Sequence, residues 1–159
     1  VTLRAPEPLT AAHDLAAFDS GVIALDHWLR RRALPNQSSG ASRTFVVCEG
    51  SQVVAYYALA SSAVAVTKAT GRLRRNMPDP VPVVVLARLA IASTHQGKGL
   101  GRALVADAAS RVLRAAEVIG VRGILVHAIS DEAARFYRHV GFDPSPLDPM
   151  TLMITLKDL

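Results

Sequence analysis

Three glycines at alternate positions, Gly97, Gly99 and Gly101, separate a β-branched run from an amphipathic stretch, and no other feature constrains this chain's fold as strongly. Upstream, Val83-Val84-Val85-Leu86 continues through Leu89 and Ile91 as a buried strand. Downstream, Leu104, Val105, Ala108, Val112 and Ala115 recur at helical spacing as far as Gly120. The segment Thr94-His95-Gln96-Gly97-Lys98-Gly99-Leu100-Gly101-Arg102 is therefore expected to be a loop that opens a helix. Amides at a helix start lack an intrahelical partner, the macrodipole favours negative charge there, and glycines let an anion approach closely. Such a loop suits a diphosphate, with Lys98 and Arg102 adding positive charge.

Two familiar phosphate motifs fail here. A dinucleotide fingerprint starting at Gly97 needs Gly or Ala where Arg102 stands, and one starting at Gly99 needs it where Leu104 stands. A P-loop needs Ser or Thr after its Gly-Lys, and Lys98 is followed by Gly99. What fits is Q-x-x-G-x-G, read as Gln96, Gly99 and Gly101, which resembles the acyl-CoA loop of the GNAT N-acetyltransferase superfamily. A second segment, Ser130-Asp131-Glu132-Ala133-Ala134-Arg135-Phe136-Tyr137-Arg138-His139-Val140-Gly141-Phe142, is similar to that family's terminal N-x-x-A-x-x-x-Y-x-x-x-G-F element, with Ser130 where the family usually has Asn. On the residues alone, Ser130 or Asp131 caps a short helix that stops at Gly141. The resemblance implies acetyl-CoA as cosubstrate, held by Gln96, Gly97, Lys98, Gly99, Leu100, Gly101 and Arg102. It further implies that the backbone of Leu89, Ala90 and Ile91 meets the thioester, that Ser130 and Phe136 add contacts, and that Tyr137 is the catalytic acid. Phe136 also reads as plain core packing.

The fold expected is α+β, a GNAT fold whose central, mostly antiparallel twisted sheet is splayed at the acyl-CoA site, with helices on both faces. Elements run in that order: a strand starting within Val1 to Arg4; a helix starting near Asp19-Ser20-Gly21 with Val22, Leu25, Trp28 and Leu29 as its apolar stripe, ending before Pro35; and a hairpin of Arg43 to Cys48 and Val53 to Ala60 around Gly50-Ser51. A basic, proline-punctuated connection from Lys68 to Pro82 leads to the strand before the glycine loop, and strands at Ile124 to Ile129 and Met150 to Leu156 follow. At 159 residues, residues 1–159 are expected to form one catalytic domain. Half the residues are hydrophobic, yet no run approaches the ~20 apolar residues of a membrane span, so a membrane partner is not expected. Cys48 is the only cysteine, which leaves no internal disulfide and no thiolate cluster; no metal is expected, and the cytoplasm is the natural compartment. Trp28 and His127 read as core residues, and His95 as a loop-packing one.

The net charge of +5 is unevenly placed. Between His27 and Asp107 the only acids are Glu49 and Asp79, whereas Arg30, Arg31, Arg32, Arg43, Lys68, Arg72, Arg74, Arg75, Arg88, Lys98 and Arg102 are basic. This segregation suits a polyanionic substrate. The segments Trp28 to Gln37, Ser39 to Val47, Arg74-Arg75-Asn76-Met77-Pro78 and Leu125-Val126-His127-Ala128 together resemble the TacT and AtaT group of GNAT toxins from type II toxin–antitoxin systems. That resemblance implies acetylation of the α-amino group of aminoacyl-tRNA, which blocks translation. It also implies a ribbon-helix-helix antitoxin partner and a homodimer; the segregated charge assigns Arg30, Arg31, Arg32, Arg43, Arg74 and Arg75 to tRNA.

The chemistry is consistent with that substrate. Many lysine-modifying relatives carry a Glu on the strand before the cofactor loop, but Val83 to Ser93 contains no acid. A lysine amine has a pKa of about 10.4 and a peptide α-amine one of about 7.7 to 8.0, so only the latter is substantially neutral near pH 7 without a dedicated base. Two other readings stay open: a protein N-terminal or small-molecule amine acetyltransferase, and a non-catalytic CoA-binding or regulatory subunit.

Overall fold

The computed structural model describes residues 2–159. Its strands are β1 (Glu7–Pro8), β2 (Arg43–Glu49), β3 (Gln52–Val64), β4 (Val81–Ile91), β5 (Gly123–His127), β6 (Asp143–Pro144) and β7 (Thr151–Thr155). Its helices are α1 (Ile23–Arg31), α2 (Ala33–Ser39), α3 (Gly71–Arg74), α4 (Leu100–Ala115) and α5 (Asp131–His139). The seven strands take the order β1-β2-β3-β4-β5-β7-β6. Pairing is antiparallel for β1 with β2, β2 with β3, β5 with β7 and β6 with β7, and parallel for β4 with β5. This is the mixed, mostly antiparallel α/β fold expected. The chain divides into two compact units, residues 1–60 with 87–108, and residues 61–86 with 109–159.

In the first unit, β2 and the start of β3 form the expected hairpin about Gly50, whose φ of 66° suits a leading turn glycine. Tyr56 and Tyr57 are fully buried on β3. Tyr56 stacks on Trp28 at 6.0 Å and meets the edge of Phe18 at 5.6 Å, while Tyr57 stacks on Phe45 at 5.2 Å. Trp28 is half-buried rather than fully interior. One expectation fails in this unit. The first strand lies at Glu7–Pro8, after an irregular run from Thr2; Val1, where the expected strand began, lies outside the described residues. The helix expected to end before Pro35 does so, at Arg31, but a second helix follows that the sequence did not predict, and Pro35 sits in the first turn of this α2, where its missing N–H has no intrahelical role to lose. Ser20 does not cap α1. The carboxylate of buried Asp26 takes both the Ser20 amide (3.0 Å) and its hydroxyl (2.6 Å), so residues 19–21 form a tight turn ahead of the helix.

In the second unit, Val64, Ala69, Leu73, Val81, Val83, Leu125 and Met153 form one buried apolar cluster. Burying that many aliphatic side chains, at roughly 1.5 to 3 kcal/mol each, outweighs the weak intrinsic tendency of a four-residue helix such as α3 to form. Thr70 caps α3 through its hydroxyl, which accepts from the Leu73 amide. The C-terminal end is held from outside: Arg122 donates to the carbonyls of Leu73 (2.9 Å), Arg72 (2.9 Å) and Arg75 (3.4 Å). The Lys68 to Pro82 connection therefore holds a short helix where the sequence predicts only a connection. His127 is exposed at the end of β5, with Nδ1 3.1 Å from the Thr151 hydroxyl, and is not the core residue expected.

Candidate acyl-CoA site

The loop before α4 is built in the first unit. Ala92 follows β4, a 3-10 turn covers Ser93–His95, and the chain then passes Gly97 (φ 74°) and Gly99 (φ 80°) into Leu100. Both glycines occupy the left-handed region that side chains with a Cβ rarely adopt. Gly101 lies within the first turn of α4. The amides of Gly97 to Arg102 donate to no described residue, and the first N–H of this region with a partner is that of Ala103, bonded to the Gly99 carbonyl at 3.2 Å. A row of free amides at the start of a 16-residue helix fits the diphosphate of acetyl-CoA. Lys98 and Arg102 are exposed beside it with no ion pair to a described residue.

Gln96 works differently from the simplest reading of its motif. Its side-chain amide donates to the carbonyls of Ser20 and Ile91, each at 2.8 Å, so it braces the loop against the Asp26-held turn and the end of β4. Ser93 adds two bonds to the Asp19 carbonyl, from its amide at 2.8 Å and its hydroxyl at 3.1 Å. His95 packs the loop as expected, with Nε2 3.1 Å from Glu49 Oε2 and Nδ1 2.7 Å from the Thr94 hydroxyl. None of these long-range partners is legible from local periodicity.

The parallel ladder of β4 with β5 covers Val83 to Leu86 only, so Leu89, Ala90 and Ile91 lie beyond it. That is where a splayed sheet would offer backbone groups to a thioester. In the second unit, the hydroxyl of Ser130 caps α5 by accepting from the Ala133 amide at 3.1 Å, which resolves the choice between Ser130 and Asp131. Phe136 is half-buried and meets the Tyr137 ring edge-on at 5.1 Å; Phe142 does so at 5.6 Å. Tyr137 is only 6% exposed, and burial pushes its phenol well above the ordinary tyrosine range. Its hydroxyl bonds to no described residue. A neutral, free phenol is what a proton donor requires.

The six arginines assigned to tRNA fall into two kinds. Arg31, Arg32, Arg74 and Arg75 are exposed and make no side-chain bond to a described residue. Arg30 donates to the Phe18 carbonyl and Arg43 to the Gln37 carbonyl, each at 2.7 Å, so both brace their own unit. Among the described residues one group could suggest a metal, namely Glu7, His13 and Cys48. His13 Nδ1 accepts the Thr10 amide at 2.9 Å, which leaves the proton on Nε2, 3.3 Å from Glu7 Oε1. A ligating histidine donates from its second nitrogen instead, so this corner is a hydrogen-bonded network that includes Arg4 on Glu7 at 3.0 Å.

The model of the acetyltransferase (GNAT) domain matches residues 40–144, which includes the glycine loop and the Tyr137 helix. The chain belongs to the GNAT acetyltransferase family. This GNAT chain is 53% identical over 154 residues to the tRNA-acetylating toxin of Mycobacterium tuberculosis (strain ATCC 25618 / H37Rv), covering 97% of itself and 93% of that protein. The solved structure of AtaT complexed with acetyl-methionyl-tRNAfMet is 30% identical, with a TM-score of 0.91 over 98% of the GNAT chain and 96% of that one. A tyrosine-to-phenylalanine mutant of AtaT, bound to the C-terminus of the antitoxin AtaR and to acetyl-CoA, is 31% identical with a TM-score of 0.83, covering 99% and 95%. No helix among the described residues is long and apolar enough to cross a membrane.

Proposed function

We propose that this protein is an acetyl-CoA-dependent acetyltransferase toxin that acetylates the α-amino group of aminoacyl-tRNA and so blocks translation in the cytoplasm. The observation that carries the reading is the 53% identity to a tRNA-acetylating toxin across nearly the whole chain. Acetyl-CoA supplies the acetyl group as an activated thioester. The free amides from Gly97 to Arg102, with Lys98 and Arg102, receive its diphosphate, and Ser130 and Phe136 are assigned further contacts to acetyl-CoA. The backbone of Leu89, Ala90 and Ile91 holds the thioester carbonyl. The neutral amine attacks that carbonyl carbon, forming C–N as C–S breaks; its proton passes to water, and the Tyr137 phenol protonates the departing thiolate.

Arg30, Arg31, Arg32, Arg43, Arg74 and Arg75 are assigned to the tRNA backbone, with Arg31, Arg32, Arg74 and Arg75 offering free guanidinium groups. Both compact units serve one catalytic domain, as the family model running across parts of both supports. The regulatory partner is a ribbon-helix-helix antitoxin, and the protein acts as a homodimer. Incubation with labelled acetyl-CoA and total charged tRNA is expected to place label on aminoacyl ends. Absence of label from every charged tRNA rejects the reading.

A further inference from the structure

Arg88 lies on β4, one residue before the Leu89–Ile91 backbone, in a stretch that holds no acid from Val83 to Ser93. It is half-buried, and its guanidinium carbon stands 5.2 Å from the centroid of the Trp28 ring. Trp28 is itself fixed by stacking on Tyr56, whose hydroxyl is anchored to the Leu25 carbonyl at 2.6 Å. One Arg88 N–H donates to the Ala87 carbonyl at 2.8 Å, and no carboxylate among the described residues pairs with it. A guanidinium carries five donors, and a partly desolvated cation without a counter-charge is costly. Packing holds this one in place while most of its donors stay unfilled.

We propose that Arg88 is a specificity-determining residue for the acceptor, receiving the phosphodiester of the 3′-terminal nucleotide of the aminoacylated RNA; this rests on the function proposed above. Trp28 shares α1 with the exposed Arg31, so the contact between Arg88 and Trp28 joins a basic helix end to the end of β4 within one unit. Only one side-chain length separates the Arg88 guanidinium from the backbone assigned to the thioester. The anion within its reach therefore lies within a nucleotide of the reacting amino acid. The planar guanidinium matches two phosphate oxygens at once. Its fixed charge also disfavours the ammonium form of the nearby amine, in keeping with a strand that lacks a base.

The test uses the full chain and two acceptors that carry one amino acid, chosen from those labelled on charged tRNA, through a 3′-amide. One acceptor is an aminoacyl-adenosine, and the other is the same nucleoside joined by its 5′-phosphodiester to cytidine. The native chain is expected to favour the second in kcat/KM by about tenfold to a hundredfold, the range of a charge-assisted hydrogen bond. Arg88→Gln brings the two within about twofold, the loss falling on the phosphodiester acceptor, and Arg88→Lys keeps part of the preference. Trp28 is the only tryptophan, so its fluorescence reports the phosphodiester acceptor in the native chain and ceases to do so in Arg88→Gln. Equal losses on both acceptors, or a preference that survives both substitutions, overturn the assignment. A native chain that acetylates charged tRNA without favouring the phosphodiester overturns Arg88 alone, whereas one that acetylates no charged tRNA overturns the function beneath it.

Discussion

Tyr137 holds its proton because its ring is buried against Phe136 and Phe142 while its oxygen has no partner to stabilise a phenolate. Its raised pKa means the acid form persists at every pH below the folded value, so proton donation is not lost in the neutral or mildly alkaline range. The amine behaves oppositely, since it attacks only when deprotonated. kcat/KM is therefore expected to rise through about pH 7.7 to 8.0 and to stay level to about pH 10. A falling limb between those values that vanishes in Tyr137→Phe contradicts this assignment. Tyr137→Phe is expected to lower kcat by about 10²- to 10⁴-fold, with acetyl-CoA affinity by calorimetry nearly unchanged. At this scale the short helix that carries Tyr137 was legible in the sequence, because its motif is contiguous. It did not reveal that Gln96 braces Ser20, a partner 76 residues away.

Elements differ in how much of their form is local. The strand, loop and helix from Val81 to Ala115 follow from periodicity and glycine placement, and replacing Gly99 by Val tests the loop. A Cβ there meets no described atom within 4 Å, but φ is +80°. The expected cost to folding is thus about 1 to 2 kcal/mol of backbone strain, with acetyl-CoA binding lost in titration. Retained binding rejects the amide cradle. Gly123 is the reverse case: a Cβ there would sit 2.2 Å from the Ile154 carbonyl and 2.7 Å from Leu73. Gly123→Ala is expected to destabilise the second unit by about 1 to 3 kcal/mol, read as a lowered denaturation midpoint, and an unchanged midpoint refutes the close β5–β7 packing. No local pattern marks Gly123. Helix α3 and strand β6 were equally illegible, since four and two residues carry too few positions to show a period.

For the whole molecule the decisive quantity is where the positive charge stands. If Arg74 and Arg75 each meet a phosphate, replacing both by Ala weakens tRNA binding and reduces the slope of log K against log salt by about two. An unchanged slope removes them from the interface. Acetyl-CoA affinity should hardly move if the amides at the start of α4 are what receive it. The sequence by itself determined the strand–glycine loop–helix order, the Tyr137 helix and the segregation of charge, because each depends on residues adjacent in the chain. Only the tertiary structure decided which arginines brace carbonyls and which stay free, how Arg122 holds α3 across 49 residues, and that Arg88 rests over Trp28. The physical reason is that a flexible guanidinium takes its orientation from whichever carbonyls and rings folding brings near it, and periodicity along the chain carries no record of those partners.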